Sequence, residues 1–192
     1  MFSIALLLFI VLDPFGNLVT LNTLLAASTP ARRRRIIVRE SLIALGILLL
    51  FVVGGRAILN ALGLQPYTLG IAGGIVLFMI ALGMVFPTRR VIDDDPLEDP
   101  LVVPIAMPLI AGPGAISIVM LLSQQTSAAS VAAGVLLAWI PTLALLIAST
   151  WVFKRLGPRG SQALERLMGI LLVVIAVQMV LDGVGAYLAA RR

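Results

Sequence analysis

The chain has 192 residues, 60% apolar and 12% charged, with a formal net charge of +5 and a mean hydropathy of +1.12. Soluble domains are roughly 45–50% apolar and about 25% charged, so the composition predicts an integral membrane protein and excludes an ordinary globular domain. Neither cysteine nor histidine occurs, which excludes disulfides, thiolate metal sites and imidazole proton switches and leaves any proton handling to Asp or Glu.

A spanning helix needs about 20 mostly apolar residues. Six segments qualify, at 2–27, 37–62, 67–87, 101–123, 129–153 and 164–188. The first begins Met1-Phe2-Ser3-Ile4, without the positive start of a signal peptide, and reads as a mature helix. Its middle is broken by Asp13-Pro14-Phe15-Gly16-Asn17. Proline lacks a backbone N–H and clashes with the preceding turn, so a helix stops before it. Asp followed by Pro is also a favourable helix start, with Asp as the cap and Pro at the first helical position. A carboxylate at this depth is costly and marks a functional candidate. Capping and binding are compatible roles, and Asp13 is assigned both. Thr20, Asn22 and Thr23 come next as weaker candidates.

The connection from Ser28 to Ile36 carries Arg32, Arg33, Arg34 and Arg35. This is a topogenic anchor rather than a nucleic-acid patch, because no aromatic residues interleave to stack bases. In the second segment only 15 uncharged residues separate Glu40 from Arg56. That is ~22 Å of helix, shorter than the ~30 Å hydrocarbon core. Arg56 is therefore expected to snorkel, and Glu40 and Glu165 to pair with neighbouring arginines at the inner surface. The third segment, entered through Gly63 to Pro66, carries Gly70-x-x-x-Gly74. That spacing suits close helix packing inside the bundle, with a homo-oligomer face as the alternative.

Between Thr88 and Pro100 lies an acidic stretch, Asp93-Asp94-Asp95 and Glu98-Asp99, read as a solvated loop. The fourth segment is interrupted at Pro108-Leu109-Ile110-Ala111-Gly112-Pro113-Gly114-Ala115, with Pro104 upstream and Ser117 and Ser123 downstream. Gln124 to Ala128 and Lys154 to Ala163 connect the last three segments. Along the sixth, Gln178 and Asp182 are four residues apart and share a helix face.

Pro14 and Pro113 are 99 positions apart. The third and sixth segments also match: Gly74 to Val85 and Gly169 to Val180 are identical at seven of twelve positions, at an offset of 95. Two similar offsets in different helices predict that helices 1–3 repeat as 4–6. An odd number of helices per repeat makes the second copy enter from the other side. The expected fold is an all-α integral membrane protein of six transmembrane helices, in two inverted three-helix repeats with helices 1 and 4 broken near the midplane. It forms a single domain over 1–192, with repeat 1 about 1–87, the acidic loop about 88–100 and repeat 2 about 101–188. Of 14 cations, 11 lie in or beside the connections after helices 1, 3 and 5. Those connections are accordingly expected to be cytoplasmic, with both termini outside.

Paired Pro/Gly breaks in corresponding halves point to a transporter binding site. Freed N–H groups at a half-helix start suit a carboxylate, and freed carbonyls suit an ammonium or a cation. Candidate substrate-binding residues are Asp13, Pro14, Phe15, Gly16, Asn17, Ala111, Gly112, Pro113 and Gly114. Asp13, Gln178 and Asp182 are candidates for proton coupling or gating. No metal site, cofactor or catalytic residue is expected. No nucleotide-binding loop of the form G-x-x-x-x-G-K-[ST] occurs, so ATP does not drive transport by this chain alone. The alternatives are a non-coupled exporter of small metabolites, a membrane protein with a structural or assembly role, and an intramembrane enzyme, which without Cys or His would need an Asp pair.

DPFGN in helix 1, LFMIALGMVFP in helix 3, PLIAGPGAISIVMLLS in helix 4 and ERLMGILLVVIAVQMVLDG in helix 6 resemble the MarC family of bacterial inner-membrane proteins. The resemblance covers nearly the whole chain, with Asp13 to Asn17 and Ala111 to Pro113 matching its two broken-helix motifs. It implies a multi-pass protein of the cytoplasmic membrane, distantly like LysE-type exporters. It also implies transport of small neutral amino acids such as glycine or alanine with protons. The partners expected are that substrate, a proton or monovalent cation and the lipid bilayer, with no nucleic acid.

Overall fold

The computed structural model describes residues 2–26, 28–86 and 110–191. The acidic stretch 93–99, Pro104, Pro108 and the first half of the predicted fourth helix lie outside them. Among the described residues, seven helices succeed one another in chain order: α1 (Phe2–Leu12), α2 (Pro14–Leu24), α3 (Pro30–Leu62), α4 (Pro66–Val85), α5 (Pro113–Gln125), α6 (Ala128–Ile147) and α7 (Ser149–Ala190). Among the described residues, five stretches are long and apolar enough to cross a membrane: Phe2–Asn22, Pro30–Leu62, Pro66–Val85, Ala128–Ile147 and Ser149–Ala190.

Local chemistry sets the helix limits. Thr29 caps α3, its side chain accepting from the Arg32 N–H at 3.4 Å, with Pro30 in the first turn. The arginine run predicted as a connection is therefore helical, because a Thr-Pro start lies just upstream of it. At the other end Gly63 takes a left-handed φ of 65°. Its N–H donates to the Asn60 carbonyl at 3.2 Å and that of Leu64 to the Leu59 carbonyl at 2.9 Å, the paired closure of a Schellman motif. Ser127 caps α6 by accepting from the Ser130 N–H. Helix continues through most of the predicted 154–163 connection. The turn is confined to Gly157, at φ 70° and ψ 174°, with Pro158 directly after it.

The inner faces merge into one apolar cluster that includes Leu8, Leu12, Leu21, Leu48, Val119, Val135, Leu172 and Ala176. The outer faces are apolar as well. Leu50, Val53, Met79, Val174 and Leu181 are all exposed, as expected where the solvent is lipid rather than water. The most extensive pairing is α4 on α7; α1 lies on α6, α2 on α7, α3 on α5 and α6, and α4 on α5.

Polar contacts tie the ends together. Arg56 donates from Nε to the Ser123 carbonyl at 2.9 Å and from Nη2 to the Gln124 carbonyl at 3.1 Å. The expected snorkelling side chain is therefore a cap on the last carbonyls of α5, where a cation also meets the negative helix end. Arg33 donates to Asn22 Oδ1 at 2.6 Å and Ser149 Oγ at 2.8 Å, joining α2, α3 and the start of α7. Glu40 is fully buried and pairs with Arg39 at 2.7 Å, as expected. Trp139 Nε1 donates to the Ser41 carbonyl at 2.9 Å and pins α6 to α3.

Candidate functional site

The predicted break in the first segment is present and sits at Asp13. The residue adopts φ 44°, a left-handed conformation that Asp tolerates better than most residues because its side chain can bond locally. Its Oδ1 accepts from the Gly16 N–H at 3.1 Å, and its carbonyl accepts from the Asn17 N–H at 3.2 Å. Asn17, itself buried, donates from Nδ2 to the Leu12 carbonyl at 3.0 Å. The backbone groups released by the break are thus recovered within five residues, as burial away from water requires. Gly16 leaves room for the cap: a Cβ there would collide with the Asp13 carboxylate and come within 2.6 Å of Met84 Cε, so both side chains would have to shift.

At the predicted second break the described residues begin at Ile110, and Gly112 precedes α5 with φ −66° and ψ 163° and makes no side-chain cap. Here the starts of α2 and α5 differ. Asp13 supplies an acceptor to the first turn of α2. Glycine has none to give to the first turn of α5, whose N–H groups carry partial positive charge.

These segments wall one cavity of about 470 Å³, within the size range of small-molecule sites. Asp13, Gly16, Asn17 and Thr20 line it from the first break and α2, Gly83 and Met84 from α4, Gly112, Gly114 and Ala115 from the second break and α5, and Glu165 and Leu172 from α7. Five of the nine predicted substrate-binding residues are brought together there: Asp13, Gly16, Asn17, Gly112 and Gly114. The other four are off the wall. Pro14 and Ala111 are buried, Pro113 is exposed, and Phe15 packs edge-on against Phe9 with ring centroids 6.1 Å apart. Their contribution is to shape the breaks.

Glu165 joins the site although it lies in neither broken-helix motif. It stands on the cavity wall, within electrostatic reach of Asp13. The signal was present in α7: Glu165, Gly169, Leu172, Ala176, Met179 and Gly183 recur at three- and four-residue steps, and the last five are buried. A carboxylate in register with a buried stripe points inward.

Gln178 and Asp182 share a face as predicted, with Nε2 donating to Oδ1 at 2.7 Å. They do not reach the Asp13 cavity. They border a second cavity of about 360 Å³, lined also by Leu7, Ile118 and Ile175. Of the other candidates, Asn22 donates to the Leu18 carbonyl at 2.8 Å and holds Arg33, and Ser123 bonds the Val119 carbonyl of its own helix. Ser117 is buried against Gly73.

Chemically, the larger cavity combines two carboxylates, Asp13 and Glu165, and the helix start at Gly112 and Gly114 with apolar residues such as Leu77, Ala115 and Leu172.

The comparisons with known proteins agree across this whole length. The family described as MarC family integral membrane protein matches residues 1–188. The chain is 44% identical over 186 residues to the UPF0056 inner membrane protein YhgN of Escherichia coli, covering 95% of this chain and 94% of that one. It is 39% identical over 191 residues to a UPF0056 membrane protein of Buchnera aphidicola, covering 96% of each. A UPF0056 membrane protein of Pyrococcus abyssi is 31% identical over 185 residues, covering 94% of this chain and 92% of that protein. No solved structure matches the chain. A match across both broken segments, with relatives of the same length, makes this chain a member of the MarC family of multi-pass integral membrane proteins.

Proposed function

We propose that this protein is a secondary transporter of small neutral amino acids or similar small zwitterions, coupled to protons and working by alternating access, rather than an enzyme. The observation that carries the reading is that one cavity is lined both by carboxylates and by a helix start. Asp13 and Glu165 line it, as do Gly112 and Gly114 at the α5 start, which has no side-chain cap. An ammonium suits the carboxylates and a carboxylate suits the helix N-terminus. A cavity of about 470 Å³ accommodates glycine or alanine with water. Asp13, the carboxylate fixed at the break, is assigned the proton.

The architecture proposed for this work is two inverted three-helix repeats in a bacterial inner membrane, both termini outside. Support comes from the paired breaks lining one cavity and from parallel packing, with α2 on α7 matching α5 on α4. The arginine-rich connections after predicted helices 1, 3 and 5 support the orientation.

The test uses purified protein in proteoliposomes with an imposed proton gradient and labelled glycine or alanine. Gradient-driven uptake is expected, and its loss in Asp13→Asn. Uptake that ignores the gradient would favour the non-coupled exporter. In a thermal-shift assay, substrate at 100 times its Kd should stabilise the folded state by ~2.7 kcal/mol; no response to any small zwitterion would remove the substrate class.

A further inference from the structure

The two cavities are separated by very little protein. On α1, Val11 lines the Asp13 cavity and Leu7 the Asp182 cavity. On α5 the corresponding residues are Ala115 and Ile118, and on α7 they are Leu172 and Ile175. Each helix therefore passes from one cavity to the other within three or four residues, ~4.5–6 Å of rise. All six residues are apolar and belong to, or pack against, the single core cluster.

The Asp13 cavity extends along Thr20 and Leu24 of α2 and Gly83 of α4, toward the end of the bundle that carries the arginine run and Lys154. The other cavity extends to Gln125 and Asp182, toward the opposite end. Polar groups thus approach the layer from both sides, and between the paired residues the one polar side chain is Ser117, buried against Gly73 of α4.

We infer that Val11, Ala115 and Leu172, together with Leu7, Ile118 and Ile175, form an apolar septum one helical turn thick that separates a vestibule at each end of the bundle. This inference rests on the transport reading and assigns it the barrier that alternating access must open. A zwitterion cannot shed its water into such a layer without compensation. A barrier one turn thick opens with a small slide of α5 against its neighbours, the scale of motion packed helices perform. α4 and α7, in contrast, are held together by their close backbone contact.

The chain has no cysteine, so single introduced thiols report alone. Each is treated with a membrane-impermeant methanethiosulfonate in sealed vesicles of either orientation, with Lys154→Cys and Arg191→Cys marking the two faces. Val11→Cys and Gly83→Cys should react only from the Lys154 face. Leu7→Cys and Ile175→Cys should react only from the Arg191 face. A Cβ at Gly83 meets no atom within 4 Å, so that variant is expected to fold. Thinning the layer with Ile118→Ala or Leu172→Ala in the Gly83→Cys background should raise labelling from the Arg191 face about tenfold, since thiol reaction tracks access.

Any one of three results would overturn the septum. The first is labelling of Leu7→Cys and Val11→Cys from the same face. The second is equal labelling of Gly83→Cys from both faces in the otherwise unchanged chain. The third is a constant far-face rate in whichever alanine variant elutes like the parent. Labelling needs no substrate: side-specific reaction without amino acid uptake overturns the carrier reading, and uptake with two-sided reaction overturns the septum alone.

Discussion

Gly74 and Gly169 occupy reciprocal positions in the contact between α4 and α7. A Cβ at Gly74 would meet the Ala176 carbonyl at 2.8 Å, Val180 Cγ2 at 2.8 Å and Met179 Cβ at 3.2 Å. One at Gly169 would meet the Ala81 carbonyl at 3.1 Å, Val85 Cγ2 at 3.0 Å and Met84 Cβ at 2.9 Å. Adding the repeat offset of 95 to Gly74, Ala81, Met84 and Val85 gives Gly169, Ala176, Met179 and Val180. The two helices therefore exchange the same contacts in opposite directions, about a local two-fold axis. Lipid supplies little hydrophobic drive between helices, so close backbone approach at small residues carries the association.

Filling either position should weaken this contact. Gly74→Val or Gly169→Val is expected to destabilise the protein by ~1–3 kcal/mol through overpacking. Thermal unfolding in detergent reads this as a lower midpoint. Gly46 has no atom within 4 Å of an added Cβ, and Gly46→Ala should leave the midpoint unchanged or raise it, since Ala favours helix by ~0.5–1 kcal/mol.

Asp13 combines two roles that substitutions can separate. Asn preserves a side-chain acceptor for the Gly16 N–H and tolerates positive φ, so Asp13→Asn should fold like the parent and lose proton-driven uptake. Asp13→Ala also removes the cap. It should lose a further ~0.5–2 kcal/mol of stability, visible as a lower unfolding midpoint than that of Asp13→Asn.

Asn17 covers the Leu12 carbonyl at the end of α1. Asn17→Leu has a similar size and cannot donate, leaving a buried acceptor without that partner. The expected cost is ~1–3 kcal/mol. Helical content by circular dichroism should persist while the unfolding midpoint falls.

Glu165→Gln keeps the size of the side chain and removes one negative charge from the cavity wall. If Glu165 helps hold the ammonium end of a zwitterion, the half-saturating concentration for uptake rises about tenfold, equivalent to ~1.4 kcal/mol, with thermal stability unchanged. Uptake kinetics identical to the parent would confine Glu165 to a structural role.

Much of this protein was legible along the chain because the controlling physics is local. An apolar run must become a helix in lipid, and Asp13-Pro14 must break one, since Pro has no N–H to donate and Asp can cap the next helix. Gly70 and Gly74 read correctly as a packing face for the same reason. At the arginine run the structure departs from the sequence pattern, because the Thr29-Pro30 start carries helix into a stretch expected to be a connection. The 154–163 connection was overestimated because Gly157, with Pro158 behind it, suffices to turn the chain.

The sequence by itself determined the class of protein, the position of its breaks, the repeat offset and the carboxylate at the first break. Each depends on neighbours within a few residues, or on comparing the chain with itself. Only the tertiary structure decided which residues share a cavity. It put Glu165 on the same cavity wall as Asp13, left Pro113 and Phe15 off that wall, and placed Gln178 with Asp182 on a separate cavity. Those outcomes depend on the rotation of each helix about its axis, which is set by packing against partners far away in sequence.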